Sequence, residues 1–342
     1  MARIALDAMG GDHAPQATVA GALLAVAELD PAHSVVLVGR SAIIEQTLDE
    51  ALRGEHAALA TFRDRLRVVD APEIIEMAEK PSAAIRAKPN SSMMVGLRMH
   101  AEGACDAFVS AGNTGAQMAA SMVLLRLYEG LKRPAIVTIF PTAEKPVVVL
   151  DAGANVDCSA AELVQFARLG AVYAHDMLGR ANPAVGLLNI GEEAEKGNAV
   201  TKEAHALLAQ SGLHFVGNVE GRDLPAGHNH QSALDVVVCD GFVGNAILKF
   251  YEAVAPLMVG LLVKAGLPKD RIMGALRQLD YSEYGGAPLL GVRGVSIICH
   301  GRSSPRAIAS AIKVAVQAVD NHLAEHIGKR LAGPEGAAGA TA

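Results

Sequence analysis

Short apolar runs of strand type alternate along this chain with longer segments whose apolar residues recur at helical spacing. The first part of the chain has this pattern in the order RIALDAM, PQATVAGALLAVAEL, SVVLVG, AIIEQTLDEAL and LRVVDA. It continues with strand-type runs at 105–112 and 183–191, which precede predicted helices at 115–129 and 198–210. Such alternation is typical of parallel strands joined by crossover helices. The pattern therefore predicts an α/β protein.

One pair of runs departs from the parallel pattern. AIVTIF at 135–140 and KPVVVLDAG at 145–153 are separated only by PTAE. A crossover helix needs about a dozen residues or more, so we expect an antiparallel hairpin in an otherwise parallel sheet. No repeat or low-complexity linker divides the chain. We predict one α/β domain over 1–330, with a helical apolar tip within 240–290 and a disordered tail at 331–342.

Composition and charge narrow the class of protein. With 342 residues and 51% hydrophobic content, the chain can bury a large core. The net charge is -6 and no basic arm is present, which argues against a nucleic-acid partner. Four separated cysteines without CxxC spacing indicate reduced core thiols. The N-terminal apolar run is broken at Asp7 and lacks a cleavage site, so we expect a cytoplasmic protein.

The most apolar segment is ILKFYEAVAPLMVGLLVKAGL, at 247–267. Its uncharged run is shorter than the roughly 20 residues that span a bilayer. Pro256 is expected to kink the helix or end its first part. The remaining tip, PLMVGLLV, lies between Lys249 and Lys264, which suits peripheral contact with anionic lipid. Burial in a dimer interface explains the same pattern, and both alternatives stay open.

Nearly every predicted strand ends in a glycine-rich polar turn that leads towards a helix. The turns are GGDH (10–13), SAGNTG (110–115), DAGAN (151–155), NIGEEAEKG (189–197), CDGFVGN (239–245) and CHGRSS (299–304). Ligands of open α/β sheets bind at this edge. Glycine lets backbone N–H groups approach an anion, and a helix N-terminus adds partial positive charge. The turns together predict a cleft for a phosphate-like anion.

These turns belong to longer motifs whose order resembles that of PlsX-type phosphate acyltransferases. The motifs are IALDAMGGD, SAGNTGA, LDAGANVD, NIGEEAEKG, DVVVCDGFVGNAILK and GGAPLLGVRG with a following HG, and the similarity spans 2–320. The resemblance implies a three-layer α/β/α sandwich related to phosphotransacetylases and to the metal-dependent isopropylmalate and isocitrate dehydrogenases. It implies transfer of an acyl group from acyl carrier protein to inorganic phosphate, which gives acyl phosphate for phospholipid synthesis. It further implies a homodimer that needs no metal or organic cofactor and works beside a membrane-bound glycerol-phosphate acyltransferase.

The expected chemistry decides which side chains matter. Phosphate has a second pKa near about 6 to 7, so its dianion needs no strong general base. A thiolate, with a pKa of about 8.5, leaves with little acid help. The site must instead hold the dianion against the carbonyl and stabilise the developing oxyanion, which calls for N–H donors, amides and cations.

Four residues are the candidates for catalysis. Lys196 ends the EEAEKG loop and matches the lysine of the family motif, although a solvated loop lysine is the alternative. Asn113 opens a predicted helix, where anion binding and plain N-capping are equally good explanations. Asn245 either orients the thioester carbonyl or occupies a left-handed turn position. His300 is a candidate neutral donor or proton acceptor, with a structural histidine as the alternative.

Further residues of the same turns are candidates for binding phosphate or substrate. They are Gly10, Gly11, Asp12, Thr114, Gly115, Asn155, Asp240 and Gly241. For Asp240, capping of a helix explains the carboxylate equally well. Acyl carrier protein is strongly acidic, so its docking needs a local basic surface. The densest basic group in the apolar region supplies the candidates, although a solvated helix face explains it too: Lys264, Lys269, Arg271 and Arg277.

Two other functions fit parts of the pattern. A metal- and NAD-dependent decarboxylating dehydrogenase on the related fold needs clustered metal-binding aspartates and arginines for substrate carboxylates, which the sequence does not show. A non-catalytic anion-sensing membrane scaffold would keep the turns without the chemistry. The presence of Lys196, Asn113 and His300 argues against the scaffold. The sequence therefore predicts a cytoplasmic, peripherally membrane-associated acyltransferase.

Overall fold

The computed structural model describes residues 1–142, 144–268, 271–272 and 285–332. Its strands are β1 Arg3–Asp7, β2 Ser34–Gly39, β3 Leu66–Asp70, β4 Ala107–Ser110, β5 Ala135–Ile136, β6 Thr138–Phe140, β7 Val147–Leu150, β8 Val185–Leu188, β9 Phe215–Val219, β10 Val236–Val238, β11 Ala287–Leu290 and β12 Ser296–Ile298. Its helices are α1 Gln16–Glu28, α2 Ser41–Arg53, α3 Pro81–Ala87, α4 Ser92–Ala101, α5 Thr114–Leu124, α6 Ala160–Leu178, α7 Ala199–Ala209, α8 Asp223–Ala226, α9 Gly241–Lys264, α10 Pro305–Asp320 and α11 Leu323–Ala332, with a 3-10 helix at Ala57–Arg65.

The described residues form two compact units, of which the first comprises 1–128 and 285–328. Its strands are ordered β3-β2-β1-β4-β12-β11. All neighbours in this order pair in parallel except β11 and β12, which are antiparallel. Strand β4 is buried along its whole length, as expected for a parallel sheet covered on both faces. The helices α1 and α10, far apart in sequence, pack against each other.

The second unit contains the described residues between 129 and 272, with 329–332. Its sheet has the order β6-β7-β10-β8-β9. Strands β7, β10, β8 and β9 run parallel, while β6 and β7 form the predicted antiparallel hairpin. Its core includes Phe140, Val149 and Val237, and the first turns of α9 pack on it through Ile247, Leu248 and Tyr251. The predicted α/β class with a mostly parallel sheet and one hairpin is confirmed.

Several details differ from the sequence-based expectation. One parallel sheet was expected, but the described residues form two, so the predicted domain over 1–330 contains two compact units. The helix predicted at 115–129 ends at Leu124, because Arg126 adopts a left-handed φ of 63°. The predicted tail begins too early, since α11 extends to Ala332. Disorder beyond that point concerns residues outside the described ranges.

Helix α9 corrects the expectation for the apolar segment. It does not end at Pro256 but continues to Lys264, because the proline removes only the one hydrogen bond that it cannot donate. Its 24 residues include an 18-residue window with a mean hydropathy of 1.8, so the helix is long and apolar enough to cross a membrane by length and composition. Its Tyr251 hydroxyl donates to the Pro141 carbonyl at 3.0 Å, so the first turns belong to the folded unit.

Candidate active site

In the first unit, three polar turns lie at the carboxyl ends of neighbouring parallel strands. They follow β1, β4 and β12, which are adjacent in the sheet. The backbone N–H of Asp12 donates to the Gly301 carbonyl at 2.7 Å, which ties the first turn to the third. A Cβ on Gly11 would lie 3.1 Å from Ala111 Cβ and 3.1 Å from the Gly301 oxygen. The structure therefore brings Gly10, Gly11, Asp12, Asn113 and His300 to one sheet edge.

A buried carboxylate supports this group of turns. Asp7 accepts a hydrogen bond from the Ser110 hydroxyl at 2.7 Å and another from the Met9 N–H at 3.2 Å. Burial raises the pKa of Asp7 above its usual value. A Cβ on Gly10 would stand 2.5 Å from the carboxylate oxygen of Asp7 and 2.8 Å from the nitrogen of Gly112, so no larger residue fits there. The carboxylate thus fixes where the first turn runs.

Asn113 is committed to structural hydrogen bonds. It is the N-cap of α5, and its Oδ1 accepts from the Ala116 N–H at 3.0 Å. Its Nδ2 donates to the carbonyls of Met77 and Glu79, each at 3.0 Å. The side chain therefore holds the loop before α3 against the start of α5. This geometry favours the capping alternative, and direct contact with substrate stays a prediction.

The remaining first-unit candidates border these turns. Thr114 opens α5 and is exposed, whereas a Cβ on Gly115 would meet Pro81 at 2.7 Å. His300 is also exposed, and its Nδ1 accepts from the Arg302 N–H at 3.2 Å. Arg302 in turn lies 3.8 Å from the Asp12 carboxylate. The guanidinium group of Arg302 and the imidazole of His300 therefore lie in the same turn.

In the second unit, a buried carboxylate organises the DAGAN turn. Asp151 Oδ1 accepts from the N–H groups of Ile136, Gly153 and Ala154 at 3.0 to 3.2 Å. Its Oδ2 accepts from the backbone N–H of Asn155 at 2.6 Å and from the Asn155 amide at 2.9 Å. Burial raises the pKa of Asp151 even though these donors act against the shift. This role of Asp151 was not predicted from the sequence, although the motif LDAGAN contains the residue.

The same turn is joined to the start of α9. The Gly241 N–H donates to the Asn155 carbonyl at 2.7 Å, while the Asn155 amide also donates to Pro134 at 2.7 Å. Asp240 caps α9 by accepting from the Val243 N–H at 2.8 Å. A Cβ on Gly153 would lie 3.4 Å from the exposed Asn245 side chain. The structure thus brings Asn155, Asp240, Gly241 and Asn245 together.

Lys196 lies in the loop 189–197, between β8 and α7. Its side chain is 48% exposed, with Nζ 4.0 Å from the Glu193 carboxylate. The Lys196 carbonyl accepts from the Asn189 amide at 3.1 Å, while its N–H donates to the Glu193 carbonyl at 3.0 Å. The loop backbone is therefore fixed while the ammonium group stays open to solvent. A role in anion binding remains a prediction.

The predicted docking surface is only partly described. Lys264, at the end of α9, and Arg271 are exposed. Lys269 and Arg277 lie outside the described residues.

The four cysteines are free thiols. Burial raises the pKa of Cys105 to about 11 and those of Cys158 and Cys299 to about 12, so these three thiols are protonated at neutral pH. Across the described ranges, no three His, Cys, Asp or Glu side chains are grouped to hold a metal ion.

Solved structures define the class of this fold. EutD phosphotransacetylase from Staphylococcus aureus matches with a TM-score of 0.61 at 12% identity, covering 93% of this chain and 94% of that chain. A phosphotransacetylase from Streptococcus pyogenes matches with a TM-score of 0.63 at 15% identity, with the same coverage. The protein is therefore an α/β protein of the phosphotransacetylase fold.

Sequence relatives define the family. A family model described as a fatty acid synthesis protein matches residues 2–326. The phosphate acyltransferase of Heliobacterium modesticaldum is 48% identical over 341 residues, which cover 95% of this chain and 97% of that protein. The phosphate acyltransferase of Salinibacter ruber is 48% identical over 323 residues, covering 91% and 92%. The chain belongs to the fatty acid synthesis protein family, the PlsX family, as its motifs indicated.

Proposed function

We propose that this protein is a phosphate acyltransferase that moves a fatty acyl group from acyl carrier protein to inorganic phosphate. The acyl phosphate product would feed phospholipid synthesis. The observation that carries the proposal is the 48% identity to a phosphate acyltransferase over 95% of this chain. The polar strand-end turns support it, because they offer the N–H donors, amides and cation that transfer to an anion requires.

The reaction needs positioning more than acid–base catalysis. An oxygen of the phosphate dianion attacks the thioester carbonyl carbon, a C–O bond forms, and the C–S bond breaks as the tetrahedral intermediate collapses. The departing thiolate then takes a proton from solvent. Lys196 and Asn245 are the side chains proposed to stabilise the oxyanion, since both are open to solvent beside ordered backbone. Asn155 and Asp240 act by holding the first turn of α9, the helix in which Asn245 lies.

The partners follow from the same proposal. Acyl carrier protein docks on a basic surface to which the exposed Lys264 and Arg271 contribute. The enzyme works as a cytoplasmic homodimer that needs no metal or organic cofactor. It reaches the membrane through the exposed apolar side of α9 and delivers acyl phosphate to a membrane-bound glycerol-phosphate acyltransferase. The exposed side chains supporting the membrane contact include Phe250, Leu257 and Leu261.

The direct test follows both products. Purified protein is incubated with acyl-acyl carrier protein, with and without phosphate, while free carrier thiol and acyl phosphate are measured. We expect thiol release only with phosphate, one acyl phosphate per thiol, and full activity in EDTA, because metal-ligand spacing is not visible in the sequence. Sulfate in place of phosphate is the matched control. Full-rate thiol release without phosphate, or a loss in EDTA that only a divalent ion restores, contradicts the proposal.

A further inference from the structure

Strand β9, at the edge of the second unit's sheet, contains a β-bulge. Val185 pairs with Phe215 and Leu187 pairs with Asn218, so β9 uses one residue more than β8 between these pairs. Gly217 lies in this interval with a φ of 90°, a left-handed conformation that favours glycine. Because side chains alternate along a strand, one extra residue changes the face on which Asn218 lies. The bulge therefore decides where this side chain points.

The bulge buries Asn218 against the loop that carries Lys196. Asn218 is 2% exposed, and its Nδ2 donates to the Glu193 carbonyl at 2.8 Å. The Lys196 N–H donates to the same carbonyl at 3.0 Å. The carbonyl of Lys196 is held separately by the Asn189 amide. One oxygen atom thus links the buried amide to the backbone of the candidate catalytic lysine.

The buried amide is not explained by stability alone. The Oδ1 atom of Asn218 has no hydrogen-bond partner among the described residues. A buried amide oxygen without a partner costs folding free energy, whereas an apolar side chain of similar size would avoid that cost. A buried polar atom without a hydrogen-bond partner is expected mainly where function requires that particular side chain. The hydrogen bond from the Asn218 amide to the Glu193 carbonyl is the interaction that an apolar side chain could not make.

We propose that Asn218 is a positioning residue that acts through Lys196, an inference that rests on the function proposed above. By fixing the Glu193 carbonyl, it sets the path of the loop and the origin of the Lys196 side chain. It does not contact the reacting atoms in this role. A shift of about 1 Å in a group that stabilises charge lowers turnover by up to about a hundredfold.

The test uses Asn218→Ser, which shortens the side chain, and Asn218→Asp, which keeps its shape but removes the donor. Gln165→Glu is the matched control, because Gln165 also donates to a backbone carbonyl, that of Gly130 at 2.7 Å, and also has a buried carbonyl oxygen without a partner in the described chain. We expect both Asn218 variants to lower kcat by about five- to fiftyfold, with KM for acyl-acyl carrier protein changed less than about threefold. Gln165→Glu should keep wild-type kcat.

A double-mutant cycle separates this role from general support of the fold. Lys196→Ala alone should lower kcat by about tenfold to a thousandfold. In that background, Asn218→Ser should cost less than about twofold more, because its effect is transmitted through the missing ammonium group. An equal loss in both backgrounds, wild-type kcat in folded Asn218→Ser, or unfolding of both Asn218 variants overturns the proposal. If the wild-type protein shows no phosphate-dependent thiol release, the proposed function is contradicted. The role of Asn218 depends on that function and is then contradicted too.

Discussion

Asp151 gathers five hydrogen-bond donors onto one buried carboxylate, and the turn beside Asn155 depends on it. Asp151→Asn keeps the shape but replaces one acceptor oxygen by a donor that faces other donors. We expect a loss of about 2–4 kcal/mol in the free energy of unfolding, measured with urea. Asp240→Asn makes the same change at a helix N-cap, where both residues cap well, and should cost less than about 1 kcal/mol. Equal losses of unfolding free energy in the two variants would contradict the conclusion that the turn depends on the Asp151 carboxylate.

His100 makes the first unit sensitive to acid. Its Nε2 accepts from the Val295 N–H at 2.9 Å, and its Nδ1 lies 3.1 Å from the Cys105 carbonyl, so the neutral tautomer protonated at Nδ1 fits both partners. Burial lowers the pKa of His100 below its usual value of 6.5. The unfolded chain therefore takes up the proton first as pH falls. The stabilising contribution of neutral His100 is complete above about pH 6.5 and is lost below it, towards the folded-state pKa.

His100→Gln tests this origin of the acid sensitivity, because glutamine keeps a donor and an acceptor but does not titrate. Urea unfolding is measured at several values between pH 5 and 8 for wild type and variant. We expect the pH dependence of the free energy of unfolding to be shallower in the variant below pH 6.5. Identical slopes for the two proteins would assign the acid sensitivity to other groups.

Among elements, α9 has an exposed apolar side with two explanations, lipid contact and dimer burial. Leu261 is 53% exposed near its end. Replacing Leu261 and Leu262 by Glu should abolish co-sedimentation with anionic vesicles while the oligomeric state and activity stay those of the wild type, because charge opposes insertion into the interface. Leu207→Glu, at an exposed site on α7, is the control and should bind vesicles as wild type does. A monomeric or insoluble double variant would place the segment in a dimer core instead.

Which segments form helices and which form strands was largely predictable from the sequence. Which strands pair with each other across long sequence distances was not. The linker PTAE between 135–140 and 145–153 was too short for a crossover helix, which sufficed to predict the β6–β7 hairpin. The position of β12 beside β4 was not predictable, because apolar periodicity carries no information about which distant strand pairs with which. The division into two sheets follows from such long-range pairings and was missed for the same reason.

The candidate site was predictable only at the level of its turns. Glycine and asparagine after strands located the turns, but the same residues serve capping and ligand binding, so the sequence left Asn113 undecided. The carbonyls of Met77 and Glu79 that engage it come from a distant loop. Asn218 was missed altogether, because a one-residue bulge leaves no periodic signal and Gly217 was its only local mark.

At the scale of the whole molecule, the first unit is formed by two segments of the chain that are far apart in sequence. The first unit is assembled from 1–128 and 285–328, and the second is encoded mainly between them. In the first unit's sheet, β12 lies between β4 and β11, and α10 packs on α1. Residues 1–128 alone therefore lack an internal strand and a packing helix of their own unit.

This chain order has a consequence for synthesis on the ribosome. Translation at about 5–20 residues per second needs roughly 10–40 s to proceed from Ser110 to Ile298. During that interval β4 lacks its parallel neighbour β12, and the apolar face of α1 lacks α10. The nascent N-terminal segment thus presents an unpaired strand edge and an uncovered helix while the second unit is made. Chaperones that bind exposed apolar segments are expected to act on this protein before its last strands emerge.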